Sequence, residues 1–286
     1  MTDADRLRPY RSVLYIPGGR ERALEKARDL PADAIIFDLE DAVAAEEKPA
    51  ARALLVRVLD EHDYGARARI VRINGLDTDW GRDDIAAIPR ARIDALLIPK
   101  VGLPTDLDAV AALAPDVPLW AMMETPAGML NAAAIAAHPR LAGMVMGTND
   151  LAKDLGSRFR PGREPLLTGL GLCLLAAKAH RRIIVDGVYN AFKDAEGLRA
   201  ECVQGRDMGF DGKTLIHPDQ LAVANDVFAP SGAEIDLASR QIEAFEAAAR
   251  EGQGVAVVDG RIVENLHAET ARQTLARAKA IADRAN

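Results

Sequence analysis

Two carboxylates, Glu124 and Asp150, follow successive apolar runs, Leu119 to Met123 and Gly143 to Met146. If those runs are neighbouring parallel strands, their tips lie about 4.8 Å apart, close enough for two acidic side chains to share one small cation. Two carboxylates completed by waters and substrate oxygens suit Mg²⁺, a hard ion that keeps part of its hydration shell, with Mn²⁺ as the alternative. Zinc has little support, because His62, His138, His180, His217 and His267 show no paired spacing. The competing structural account makes Glu124 and Asp150 caps of the helices that follow.

Other clusters surround this pair in the chain. Asp38, Glu40 and Asp41 form an acidic knot after the run Ala34 to Phe37, and so close a trio repels itself unless a cation or an arginine is near. The knot either supports a metal-bound water or is a solvated loop. Arg72, within Val71-Arg72-Ile73-Asn74-Gly75, either clamps a substrate carboxylate in two-pronged fashion or partners the knot. Pro17-Gly18-Gly19-Arg20 opens a helix and could offer amides and Arg20 to an anion, although such turns are common. Gly147, Thr148 and Asn149 could offer backbone donors to a carboxylate or a developing oxyanion. A rival chemistry is a Schiff base on Lys100 or on Lys213, the latter within a strand and directed at the interior.

These clusters need a scaffold that gathers loop ends. Eight short apolar runs alternate with helical stretches: Ser12 to Ile16, Ala34 to Phe37, Ile70 to Ile73, Ala95 to Ile98, Leu119 to Met123, Gly143 to Met146, Ile183 to Val185 and Gly212 to Ile216. That alternation predicts a (β/α)8 TIM barrel over residues 1–229, with its chemistry at the C-terminal strand ends. Helices are expected over Arg20 to Leu30, Lys48 to His62, from Asp106 to Pro115, Asn131 to His138, Leu166 to His180, Ala195 to Met208 and Gln220 to Phe228. Residues 230–286 are surplus to a barrel. They predict a helix from Ala233 to Glu251, a hairpin turning at Asp259-Gly260, and a helix from Ala268 to Ala285, serving as a packing appendage or as a lid on its own or a neighbour's site.

Bulk properties narrow the class. A net charge of −7 argues against nucleic acid as the main partner, and 4% aromatic residues argue against stacked aromatic binding surfaces. No apolar run approaches the ~20 residues of a membrane span, and Met1 to Arg11 has no apolar signal core. Cys173 and Cys202 match no metal or redox spacing, as expected of buried thiols in the cytoplasm.

Seven motifs, in order, carry a resemblance. They are Leu14-Tyr15-Ile16-Pro17-Gly18, Phe37-Asp38-Leu39-Glu40-Asp41-Ala42-Val43, Val71-Arg72-Ile73-Asn74-Gly75-Leu76-Asp77-Thr78, Ile98-Pro99-Lys100-Val101, Met123-Glu124-Thr125, Gly147-Thr148-Asn149-Asp150-Leu151 and Ile216-His217-Pro218. From Arg11 to the C-terminus the chain resembles the citrate lyase β-subunit-like family of the HpcH/HpaI aldolase superfamily. The resemblance implies an enzyme acting on CoA thioesters of hydroxy diacids with Mg²⁺, as a trimer or hexamer. It further implies Glu124 and Asp150 as metal ligands, Arg72 on the acyl end, and Asp38, Glu40 and Asp41 ordering the surroundings. Tyr15, Arg20 and Lys26 match positions that meet CoA, and Ile216, His217 and Pro218 match its nucleotide end. In the family's lyases an Asp from the C-terminal hairpin of an adjacent subunit is the acid/base. Here Glu264 takes that place, and a shift of about one ångström can cost ~100-fold in rate. The resemblance extends to Asp186-Gly187-Val188-Tyr189-Asn190 and Asn265-Leu266-His267 and implies hydrolysis of (3S)-malyl-CoA to malate and CoA. Carbon–carbon cleavage of malyl-CoA or citramalyl-CoA, or a non-catalytic CoA-binding role, are the alternatives.

Overall fold

The structure is a computed structural model that describes residues 8–88 and 93–285. Most of the polar N-terminal stretch discussed above, residues 1–7, lies outside the described residues. The chain divides into two compact units, Tyr10–Phe228 and a second that includes the residues from Ala229 onward.

The first unit is a closed barrel of eight parallel strands in sequential order. They are β1 (Ser12–Pro17), β2 (Ala34–Asp38), β3 (Ala68–Arg72), β4 (Ala95–Ile98), β5 (Leu119–Met123), β6 (Leu141–Met146), β7 (Ile183–Asp186) and β8 (Gly212–Leu215). Successive side chains alternate between faces, so each strand divides its residues between lumen and helix layer. Val13, Ile36, Ile70, Leu97, Trp120, Met122, Val145 and Val185 fill the lumen. Their neighbours Leu14, Ile35, Phe37, Val71, Leu96, Ala121, Met144 and Ile184 pack toward the helices. Two steps beyond these lumen residues, the same alternation points Tyr15, Asp38, Arg72 and Glu124 inward at the C-terminal ends.

Several boundaries differ from the sequence reading. The first helix spans only Glu21–Lys26, and Ala27 to Leu30 continue as turns, because Pro31 disfavours helical geometry in the residue before it. Strand β8 stops at Leu215, because the amides of Ile216 and His217 both donate to Gln220 Oε1 and turn the chain away. Three helices too short to show a periodic face were missed: Gly81–Ala87, Pro126–Leu130 and Thr148–Asp154.

Lys213 faces the helix layer and not the lumen, which corrects the interior placement considered above. Its ammonium is fully buried and donates to Asp186 Oδ2 (3.0 Å) and Glu201 Oε1 (2.6 Å). Arg163 closes the same cluster, with Nη1 2.7 Å from Asp186 Oδ1 and Nε donating to Gln204. The Lys213 nitrogen is committed to two carboxylates in the helix layer, away from the lumen, and so is not placed to attack a ligand in the barrel mouth.

The second unit contains helix Gly232–Arg250, the antiparallel pair β9 (Ala256–Val258) and β10 (Arg261–Val263), and helix Asn265–Ala285. Asp259 and Gly260 have φ of +49° and +73°, the two left-handed positions of a tight hairpin turn. Arg240 grips both oxygens of Asp259 and fixes the turn to the first helix. The last helix starts at Asn265, three residues earlier than expected, because the Glu264 carbonyl accepts from the amides of His267 and Ala268.

Breaking the Asp186 cluster tests its role. Asp186→Ala removes the fully buried carboxylate between Arg163 and Lys213, leaving them only the partly exposed Glu201, and should cost about 3–5 kcal/mol in urea unfolding. A loss below about 1 kcal/mol would show that the cluster is dispensable to the barrel.

Candidate active site

Arg72 sits at the centre of the barrel mouth with 6% of its surface exposed. Its Nε and Nη2 donate to Asp38 Oδ1 (2.8 Å) and Oδ2 (2.6 Å), a two-pronged pair, and its Nη1 donates to Asp41 Oδ2 (3.1 Å). The same Nη1 lies 2.7 Å from Glu40 Oε2. Arg72 therefore partners the acidic knot, the second of the two roles considered for it. Burial opposes its charge, but the surrounding anions prevail and hold it firmly protonated. Asp38 also accepts from the amides of Glu40 and Ala42, so the loop is shaped around its carboxylate.

Glu124, on the residue after β5, has 2% exposure. Its Oε1 accepts from the Lys100 amide at 2.7 Å. Lys100 adopts a left-handed φ of +50°, a strained geometry for a non-glycine residue that turns this amide toward the carboxylate. The Lys100 ammonium reaches Glu40 Oε1 at 3.0 Å and is thus occupied as well. Burial pushes the Glu124 carboxyl up to about 7; Lys100 and Arg72 oppose the rise, and Glu40 and Asp150 add to it. The structure thus brings Asp150 into electrostatic range of Glu124. Asp150 is not at a strand tip, however; it lies in the first turn of helix Thr148–Asp154. No cluster of three or more His, Cys, Asp or Glu capable of holding a metal occurs among the described residues. A cation here would depend on two carboxylates plus waters or ligand oxygens. A buried acid that gives up its proton only near neutrality fits such a hard divalent ion.

The loop after β6 is fitted tightly against its neighbours. A methyl group on Gly147 would collide with Glu124 Cβ, and one on Gly187 would collide with the Thr148 side chain. Asn149 and Asn190 exchange side-chain hydrogen bonds at 3.2 and 2.8 Å, linking the loops after β6 and β7. Of the three expected backbone donors, the Gly147 amide is already taken by the Met123 carbonyl.

At the rim, Arg20 and Lys26 are exposed. The Gly18 and Arg20 amides serve the turn itself, donating to the Asp38 and Pro17 carbonyls, so an anion there would meet side chains more than these amides. Tyr15 is not with them on the rim but inside the lumen. His217 stacks on Phe192 with centroids 4.5 Å apart, beside exposed Ile216, and Lys193 lies 5.7 Å from the Phe192 ring. Phe192 and Lys193 went unnoticed in the sequence because a lone aromatic in a loop has no spacing signal. Lys48 was also missed: its ammonium donates to the Leu39 and Glu40 carbonyls and lies over Trp80, lining a cavity of about 670 Å³ that also touches Glu40, Asp41 and Lys100. Glu264 lies in the second unit, exposed, with its amide donating to His267 Nδ1.

Residues 11–218 match the HpcH/HpaI aldolase/citrate lyase family. The chain belongs to that family. A (3S)-malyl-CoA thioesterase of Cereibacter sphaeroides is 73% identical over 98% of both chains. An L-malyl-CoA/beta-methylmalyl-CoA lyase of the same organism is 35% identical over 90% of this chain and 91% of its own. The crystal structure of CitE from Mycobacterium tuberculosis in complex with magnesium, acetoacetate and coenzyme A superposes with a TM-score of 0.79. It is 29% identical and covers 96% of this chain and 99% of its own.

The Glu124 shift gives a signed expectation. Below about 7 the carboxyl holds a proton that an incoming cation must expel; above it, the carboxylate is ready. Mg²⁺ affinity should therefore fall about tenfold per pH unit below neutrality and level off above. Calorimetry should find roughly one proton released per ion at pH 6 and almost none at pH 8. A flat profile from pH 6 to 8 would exclude Glu124 as a ligand.

Proposed function

We propose that this chain hydrolyses (3S)-malyl-CoA to malate and free CoA. The supporting observation is the 73% identity to a thioesterase of that specificity over nearly the full length of both chains, against 35% for the lyase. The arrangement of the barrel mouth agrees with it, since its inward carboxylates and Arg72 suit an anionic, oxygen-rich acyl group more than an apolar one.

In this reading Glu124 and Asp150 hold Mg²⁺, and Mn²⁺ is an acceptable replacement. Bound there, the ion supplies a positive charge to the acyl oxygens. Arg72, held square by Asp38, Glu40 and Asp41, presents its remaining donor capacity to the acyl carboxylate. Thr148 and Asn149 complete the acyl pocket beside Gly147. Arg20 and Lys26 meet the phosphates of CoA, and the loop of Ile216, His217 and Pro218 receives its nucleotide end. The chain works as a homo-oligomer in the cytoplasm, a trimer or hexamer, in which the second unit serves as a lid and carries Glu264 to a neighbour's barrel mouth. Glu264 takes a proton from water, the water oxygen adds to the thioester carbon, the C–S bond breaks, and the thiolate leaves with a proton.

Incubation with (3S)-malyl-CoA and Mg²⁺ should release free thiol without glyoxylate. Glyoxylate appearing in step with acetyl-CoA would replace this reading with carbon–carbon cleavage, and CoA binding without either product would replace it with a non-catalytic role. Glu264→Gln should lower kcat by roughly 10²–10⁴ with KM little changed. If Glu264 acts across subunits, mixing inactive Glu264→Gln and Glu124→Gln chains should restore part of the activity. No recovery after subunit exchange would place Glu264 in its own chain's site or outside the mechanism.

A further inference from the structure

Tyr15 projects from β1 across the lumen to β5, where its hydroxyl meets Met122 Sδ at 3.4 Å. Its ring packs on the apolar residues that fill the barrel, and on the other side the Arg72 guanidinium lies 5.2 Å from the ring centroid. The tyrosine is thus the floor of the mouth, directly below Arg72 and among the charges of Asp38, Glu40 and Glu124. Tyr15 as a whole is only partly buried.

The hydroxyl's partner is the telling feature. A thioether sulfur is a weak acceptor, and a buried donor is normally satisfied by oxygen or nitrogen. Carboxylates surround Tyr15, yet the ion pairs and hydrogen bonds of Asp38, Glu40 and Asp41 are directed at Arg72 and Lys100. The Tyr15 hydroxyl is therefore a neutral donor in the mouth whose partner is a weak acceptor. Burial and the nearby anions keep this phenol protonated, which preserves it as a donor.

We propose that Tyr15 is an acyl-binding residue, whose hydroxyl turns from the Met122 sulfur to donate a hydrogen bond to an oxygen of the acyl group. It differs from the CoA-contacting role that the resemblance suggests for this position. The inference rests on the reading that the mouth receives an oxygen-bearing acyl group, and it adds a means of selecting one: an acyl chain without that oxygen leaves the phenol on its sulfur and gains nothing.

Tyr15→Phe removes only the hydroxyl and retains the ring beneath Arg72. With Mg²⁺ present, calorimetric titrations of wild-type and variant protein with malate, with acetoacetate and with CoA separate the roles. The variant should bind both small acids about tenfold to a hundredfold more weakly, the range for a hydrogen bond to a charged group, while CoA binding and the melting temperature stay unchanged. Weakened CoA binding with unchanged acid binding would overturn the assignment in favour of a cofactor contact. Unchanged binding of all three would reduce Tyr15 to packing, and failure of either acid to bind wild-type protein would remove the acyl pocket itself. Because these readouts need no turnover, a protein that binds the acids through Tyr15 but hydrolyses no thioester would refute the proposed reaction and leave this inference standing.

Discussion

The barrel mouth is built around an imbalance of charge. Five carboxylates (Asp38, Glu40, Asp41, Glu124 and Asp150) share it with Arg72, Lys100 and Lys48. Arg72 takes the first three, and Lys100 shares Glu40. Lys48 spends its donors on backbone carbonyls, and Glu124, which feels Asp150, has no ion pair with a cationic side chain among the described residues. A protein that buries like charges must either neutralise one with a proton or admit a positive ion. Glu124, titrating near neutrality, is poised between these two outcomes. On the proposed reading a divalent ion supplies the missing charge.

The backbone that maintains this tension is simple. Strand alternation alone sends Tyr15, Asp38, Arg72 and Glu124 inward, and the lumen below them is closed by apolar side chains. Burial of that plug denies the charged layer a solvated retreat, so the ion pairs form in a poorly screened setting where geometry counts. Glycines set the close approaches around the layer: Gly18 brings β1 against Leu39 and the Asp38 carbonyl, and Gly147 allows the β6 loop to lie on Glu124.

That scaffold was readable in advance, because period-two alternation and turn residues are local signals. All eight strands and the hairpin turn at Asp259-Gly260 were expected from the sequence, and no strand boundary differs by more than two residues. The contact of Arg72 with the acidic knot also followed from placing both at strand ends, whereas Asp150, expected at a strand tip, lies in the first turn of a helix. What escaped depends on three-dimensional pairing. The orientation of Lys213 is set by its register opposite Ser12, and its partners Asp186, Arg163 and Glu201 are scattered through the chain. Tyr15 carried a family resemblance but no local sign that it would cross the lumen to Met122. The amides of Gly18 and Gly147 looked available only because the carbonyls that accept from them lie on neighbouring strands.

The family includes both a thioesterase and a lyase, two reactions that place different demands on a base. Holding a hydroxy diacid by its oxygens is common to both. Cleaving the carbon–carbon bond requires removing the proton of the acyl hydroxyl, whereas hydrolysis requires removing a proton from water beside the thioester carbon. On the proposed reading these demands differ in where the base sits, and hardly at all in how the acid is held. The barrel layer, locked by Arg72, has no freedom to make that choice. On the same reading Glu264, just past the separate hairpin, has that freedom, since one methylene moves a carboxylate by about the distance that separates productive from unproductive proton transfer. On the proposed reading, therefore, the binding chemistry belongs to the barrel unit and the choice of reaction to Glu264, which lies outside that unit.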